Sequence, residues 1–169
     1  SAQFHHRHKP TDWTAFEGPI RPRAFDLNKL VAGKKTPWSA QPVMSSAHMQ
    51  MRIWRLDGAM TELARNGDGD DLLFVHEGEG ALFCDYGHLP YREGDYLMIP
   101  RGTMWRLEAR VPTTCLMIEA TNDSYRLPDK GLVGRHAIFD PAMLDTPVID
   151  DAFRAQQDER PWKVSVKRR

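Results

Sequence analysis

The fold is decided by the stretch NGDGDDLLFVHEG, residues 66–78, in which a turn rich in Gly and Asp leads into an apolar run. Such a sequence is typical of a strand that begins directly after a tight turn. Similar strand-like runs occupy residues 49–53, 81–86, 96–99, 104–107 and 115–121, and turn sequences containing Gly or Pro separate several of them. Short strands at this spacing predict an all-β domain, built as an antiparallel sandwich or barrel.

Glycines and a proline recur at fixed intervals through and beyond this stretch. The intervals from Gly58 to positions 64, 66 and 71 and on to Gly78, and from Gly94 to Pro100, Gly102 and position 105, match the two metal-binding motifs of cupin proteins. Gly and Pro have a physical reason to stand there, because they set the turns between strands. The spacing therefore resembles the cupin family, which implies a jelly-roll β-barrel or sandwich.

The cupin resemblance places metal ligands at four positions, which hold Ala64, Asn66, Asp71 and Trp105 in this chain. A facial iron site needs two His and a carboxylate, and only Asp71 is of either kind. We therefore expect no metal, no cofactor and no catalytic residue in this chain. Alternation along the strands points Asp71 and Trp105 inward, so Trp105 fills the interior. Its indole N–H is expected to bond Asp71 or Asn66 or, in the alternative, water or backbone.

Composition and charge narrow the classes of partner. Basic and acidic residues both number 23, so the net charge is zero and nothing favours nucleic acid or an anionic membrane as a partner. No apolar stretch is long enough to cross a bilayer. The two cysteines, Cys84 and Cys115, are expected to be buried, unreactive thiols, and a reducing cytoplasm is the predicted location.

The chain divides into three predicted parts. Residues 1–45 are a Pro-rich wrapping arm, residues 46–127 the barrel, and residues 128–169 an irregular segment with a short helix over 149–157. Leu72 and Phe74 lie on the opposite face of their strand from Leu73 and Val75. Both faces of this strand therefore need cover, which predicts a homo-oligomer or packing by the arm or the carboxy-terminal segment.

Three segments, residues 66–78, 94–103 and 127–131, together resemble the homogentisate dioxygenase family. The resemblance implies a two-part protein, roughly twice this length, whose carboxy-terminal half carries Fe(II) and opens an aromatic ring. This chain is then the amino-terminal, degenerate cupin half, inactive by itself, with the catalytic half as its partner. A related aromatic dioxygenase with a different substrate fits as well.

Two other functions remain open at this stage. A stand-alone metal-free cupin would hold a small organic molecule in the barrel mouth, clamped by Arg101 and Arg106 unless these are solvated rim charges. A metalloenzyme would use an unrecognised site drawn from His48, His76, His88 and His136, although His76 is more simply a structural histidine. The His5, His6 and His8 cluster is expected to be an exposed arm rather than a metal site.

Overall fold

The protein is described by a computed structural model that covers residues 5, 7, 9, 14–21, 23–30, 36–127, 140–156 and 159–168. The strands are β1 (Gln41–Ser45), β2 (Met49–Leu56), β3 (Leu63–Asn66), β4 (Gly69–Cys84), β5 (Gly87–Tyr91), β6 (Tyr96–Ile99), β7 (Met104–Thr121) and β8 (Val164–Lys167). One short helix, α1 (Asp151–Arg154), and 3-10 turns at Leu27–Lys29, Pro37–Ser39 and Pro141–Met143 complete the regular structure of these residues.

Two long strands, β4 and β7, pair along their whole length and join two half-sheets. In the first, the order is β1, β2, β7, β4 and β6; in the second, it is β8, β3, β7, β4 and β5. Among the strands of the described residues, β8 and β3 form the one parallel pair. Each half is therefore five strands wide, and the all-β, cupin-type sandwich predicted from the sequence is confirmed.

The half-sheets meet where β4 and β7 bend. The register of this pair shifts three times between Val75 and Gly80. Gly78 lies at the bend with φ +98°, and a Cβ added there would lie 2.6 Å from the carbonyl oxygen of Pro112. The other framework glycines, Gly58, Gly94 and Gly102, also have φ between +86° and +97°. The glycines of the motifs thus mark positions with positive φ, a backbone conformation that only Gly adopts without strain.

A single apolar core lies between the half-sheets. Leu73 and Val75 enter it from the first half, and Leu82 and Leu107 from the second. Trp54 of β2 meets Trp105 of β7 edge to face, with ring centroids 6.1 Å apart. Burial of two large indoles between the layers stabilises the sandwich.

The sheet extends beyond the predicted barrel limits at both ends. β1 lies entirely within the predicted wrapping arm, and β8 lies in the segment predicted to be irregular. The predicted helix near the carboxyl end exists but is only one turn long, from Asp151 to Arg154. In the described part of the chain, no helix is long and apolar enough to span a membrane.

Candidate functional site

The four positions that correspond to cupin metal ligands all face the interior. Ala64 and Trp105 pair across β3 and β7 and have no exposed surface, Asn66 is 3% exposed and Asp71 is 1% exposed. The fold therefore brings together the residues that the sequence placed at these positions. Their chemistry, one methyl group, one amide, one carboxyl and one indole, differs from that of a metal-ligand set.

Asn66 organises the turn that precedes β4. Its side-chain oxygen accepts hydrogen bonds from the backbone N–H of Asp68 at 2.9 Å and of Gly69 at 3.3 Å. Its amide nitrogen donates to Oδ1 of Asp71 at 3.1 Å. The amide thus holds both the turn and the neighbouring carboxyl, with its oxygen accepting two hydrogen bonds and its nitrogen donating one.

Asp71 is a buried carboxyl with a single hydrogen bond. Its Oδ2 has no partner among the described residues. Burial, and secondarily the charge of Glu119, raises the pKa of Asp71 to about 7, against the opposing effects of Asn66, Arg52 and Lys167. The neutral acid is therefore favoured below about pH 7.

The hydrogen bond predicted for Trp105 is wrong. Within the described residues, its indole nitrogen has no partner, and neither Asp71 nor Asn66 accepts from it. The Asn66 oxygen already accepts two backbone N–H groups, and the indole instead packs edge to face against Trp38 and Trp54, with centroids 6.5 and 6.1 Å away. Ring packing, and not a polar contact, holds Trp105 in the interior.

A buried ionic cluster surrounds Glu119, which is 1% exposed. Its carboxylate accepts from Arg52 Nη1 at 3.2 Å, Lys167 Nζ at 2.9 Å and Thr121 Oγ1 at 3.1 Å. Lys167 also donates to Asp68 at 2.8 Å, which links β8 to the turn before β4. Lys167 thus bridges two carboxylates, and an ionised Asp71 would add a further negative charge near Glu119.

Sequence reasoning missed this cluster. Arg52 shares its strand face with the core residues Trp54 and Leu56, and Glu119 shares its face with Met117 and Thr121, so strand alternation alone could have shown both pointing inward. The contribution of Lys167 had no such signal, because it depends on the parallel pairing of β8 with β3.

A metal centre does not fit these side chains. The described residues hold no group of three or more His, Cys, Asp or Glu side chains placed to share a metal ion. Iron at the cupin position would meet one carboxyl, already bonded to Asn66, beside an indole and a methyl group. We therefore derive no chemical step through a metal in this chain.

Arg101 and Arg106 do not form the clamp that the stand-alone binding alternative requires. The Arg101 side chain is exposed in a turn, where only its backbone N–H is held, by Asp70 at 2.7 Å. Arg106 is 7% exposed on the outer face of β7, with its guanidinium 5.2 Å from the Phe83 ring and 5.1 Å from the Trp162 ring. The two arginines thus lie in different surroundings, and neither points into the core.

The histidines named as metal candidates are dispersed. His48 and His76 are exposed, and His88 is stacked on Phe83 and bonded through Nδ1 to Asp150 at 3.0 Å. His136 lies outside the described residues, as do His6 and His8. The described histidines therefore give no support to the metalloenzyme alternative.

Both thiols are held in their neutral form. Burial raises the pKa of Cys115 to about 12 and also raises the pKa of Cys84, which is half-buried. A thiol with a raised pKa is a poor nucleophile. The structure agrees with the expectation that neither cysteine is reactive.

The outer face of the first half-sheet carries an apolar patch. Phe74 packs against Tyr96 with ring centroids 4.9 Å apart, while Tyr96 is 63% and Met98 49% exposed. The sequence predicted that this face needs cover, and in the described residues part of it stays open to solvent.

The sequence profile of the family described as "Homogentisate 1,2-dioxygenase N-terminal" matches residues 4–168. The chain belongs to this family. The resemblance carried by the three sequence segments is thereby confirmed, and the homogentisate dioxygenase N-terminal match takes in both cupin-like motifs and the ionic cluster around Glu119.

Curated relatives agree with the profile. The chain is 26% identical to a homogentisate 1,2-dioxygenase of Drosophila melanogaster over 156 residues, which cover 92% of this chain and 34% of that protein. It is 27% identical to the Sinorhizobium fredii enzyme over 153 residues, 88% of this chain and 33% of that protein. The chain thus spans about a third of the length of these relatives, rather than the half expected from the sequence.

Solved structures with a similar strand arrangement include a Thermus thermophilus protein, 18% identical with a TM-score of 0.49, which covers 58% of this chain and 96% of that protein. An RmlC-like cupin of Desulfovibrio desulfuricans is 19% identical with a TM-score of 0.48, covering 59% of this chain and 97% of that chain.

Proposed function

We propose that this chain is the amino-terminal structural domain of a homogentisate dioxygenase-like Fe(II) enzyme that cleaves aromatic rings, and that it carries no iron site itself. Trp105 is the observation that carries the proposal. It stands at the last of the four cupin ligand positions, has no exposed surface and is packed between Trp38 and Trp54. An interior filled in this way supports a scaffold role better than a catalytic one.

In this proposal, aromatic catabolism such as tyrosine degradation takes place in the remaining two-thirds of a protein with the length of the relatives. That part supplies Fe(II) and the reacting groups, and this domain supplies a rigid platform in the cytoplasm. The test is oxygen uptake with homogentisate and Fe(II), measured on this chain and on a full-length family enzyme. We expect turnover only from the full-length enzyme, and turnover by this chain alone would contradict the proposal.

The assembly part of the proposal rests on the apolar patch formed by Phe74, Tyr96 and Met98. We propose that this patch makes contacts between copies in a homo-oligomer, since large exposed apolar surfaces mark interaction sites. Tyr96→Lys with Met98→Lys should shift the mass measured by light scattering toward the monomer. The matched control is Val111→Lys, at a residue 45% exposed on β7. A monomeric unsubstituted chain would contradict the assembly role.

A further inference from the structure

A groove of about 890 Å³ lies on the outer face of the second half-sheet, away from the core. Its floor includes Phe83, Met104 and Arg106. Its opposite wall includes Ile149 and Phe153, which belong to residues 148–156, here called the α1 segment because they contain α1. Trp162 also lines the groove. Three aromatic rings and the side chains of Leu63, Met104 and Ile149 give it an apolar lining. The size falls in the range of small-molecule sites, about 300 to 1,000 Å³.

The α1 segment is held over the sheet by specific contacts. His88 and Val148 form a two-way backbone bridge, N to O at 2.8 and 2.9 Å, and the His88 ring bonds Asp150 at 3.0 Å. Asp150 in turn caps α1 by accepting from the N–H of Phe153 at 2.9 Å. The wall of the groove is therefore fixed by the strands beneath it.

Arg106 brings a buried cation to this apolar lining. It stands directly opposite Phe83 in the β4–β7 register, and its guanidinium lies against the Phe83 and Trp162 rings. Its hydrogen bonds to Glu108 and Gln156 are both donated by Nη2. Among the described residues, Nε and Nη1 of Arg106 donate no hydrogen bond. Neither atom is both buried and without a partner. Arg106 lines this groove and also a neighbouring pocket bounded by Met60 and Glu108.

The remaining charges limit what the groove accepts. Asp85, Glu159 and Arg154 also line it, and the Asp85 carboxylate accepts from the N–H of Met104 at 2.8 Å. Arg154 is paired with Asp151 at 3.1 Å and Arg106 with Glu108, so the charges of Asp85 and Glu159 disfavour a ligand with several anionic groups. One carboxylate on a planar apolar body satisfies both the guanidinium, through a single charge-assisted N–H donor, and the aromatic walls.

We infer that this groove is a binding site for a small aromatic monocarboxylate, with Arg106 bonding the carboxylate and Phe83, Phe153 and Trp162 packing on the ring. The site is outside the barrel and separate from the cupin ligand positions. It does not depend on the proposed role of the chain in a dioxygenase. The site lies on the surface of the sheet and not in the barrel mouth, where the sequence-based alternative placed a small molecule. Arg101 is not part of it.

The test is a titration with benzoate, followed by the NMR shift of the Trp162 indole N–H. Benzyl alcohol provides the ring without the charge, and acetate the charge without the ring. We expect saturable benzoate binding, and binding of either control ligand weaker by about tenfold or more, as loss of a charged hydrogen bond or of ring packing implies. Equal binding of benzyl alcohol, or no saturable benzoate binding, would overturn the inference.

Variants then locate the site. Arg106→Gln should weaken benzoate binding by about tenfold or more, whereas Arg101→Gln, an exposed arginine outside the groove, should leave it unchanged. Phe153→Ala removes one wall and should also weaken binding, which provides a check if Arg106→Gln fails to fold. Benzoate binding lost in Arg101→Gln, or retained in Phe153→Ala, would place the ligand elsewhere and refute the assignment.

Discussion

Asn66 and Asp71 form a hydrogen bond of 3.1 Å, from the amide nitrogen to Oδ1, at two positions where a cupin would have metal ligands. The adjacent Asp70 differs, because its two oxygens accept the backbone N–H groups of Arg101 and Tyr125 at 2.7 and 2.8 Å. The Asp70 carboxyl thus accepts hydrogen bonds from two donors, whereas the Asp71 carboxyl accepts one. Burial raises the pKa of Asp71 to about 7, so this carboxyl is expected to retain a proton in the folded protein below that pH.

The first prediction concerns pH. Burial raises the pKa of Asp71 from 3.8 to about 7, so the folded state binds this proton more tightly than the unfolded chain does. The resulting stability is complete below about pH 4 and is lost as the pH rises toward 7, by up to a few kcal/mol. Urea unfolding of the unsubstituted chain should therefore give a lower free energy of unfolding at pH 8 than at pH 5, after subtraction of the Asp71→Asn profile.

Asp71→Asn keeps the shape and removes the titration. This variant should be less sensitive to pH and more stable than the unsubstituted chain at pH 8. Asp123→Asn, at an exposed position, serves as the control and should keep the original profile. Identical pH profiles for Asp71→Asn and the unsubstituted chain would show that Asp71 is ionised in the folded state.

The second prediction concerns Lys167. Its removal leaves Glu119 and Asp68 buried with one fewer cation, and the loss of one partner of a buried ion pair costs about 3 to 5 kcal/mol. Lys167→Met should lower the free energy of unfolding by this amount. Lys163→Met is the matched control, because Lys163 is 75% exposed in its pair with Glu62 and such pairs contribute about 0 to 1 kcal/mol. Equal losses in the two variants would mean that the cluster adds no stability.

The third prediction separates backbone strain from steric overlap at two framework glycines. Gly78 and Gly94 have similar φ values, +98° and +90°, but an added Cβ at Gly78 would meet Thr113 Oγ1 at 2.5 Å, whereas at Gly94 it meets nothing within 4 Å. Gly94→Ala should cost about 1 kcal/mol or a little more from strain alone, and Gly78→Ala clearly more. Thermal unfolding of both variants measures the difference, and a larger loss in Gly94→Ala would contradict the predicted packing at the bend.

Much of the fold could be predicted because it depends on local chemistry. The framework glycines mark turns with positive φ, and alternation correctly placed Asp71, Leu73 and Trp105 on the inner face. The β8 pairing and the Lys167 bonds could not be predicted, because they join residues about a hundred positions apart in sequence. The Trp105 bond was mispredicted because alternation gives the face of a side chain but not the direction of its N–H.

The most direct test of the central claim, that the cupin ligand positions of this chain no longer bind iron, is anaerobic equilibrium dialysis against Fe(II) followed by measurement of iron per chain. One carboxyl is too few ligands for a facial iron site, so we expect fewer than about one iron per ten chains, and the same value for Asp71→Asn. About one iron per chain, lost in Asp71→Asn, would show that the interior is a metal centre and would contradict the account.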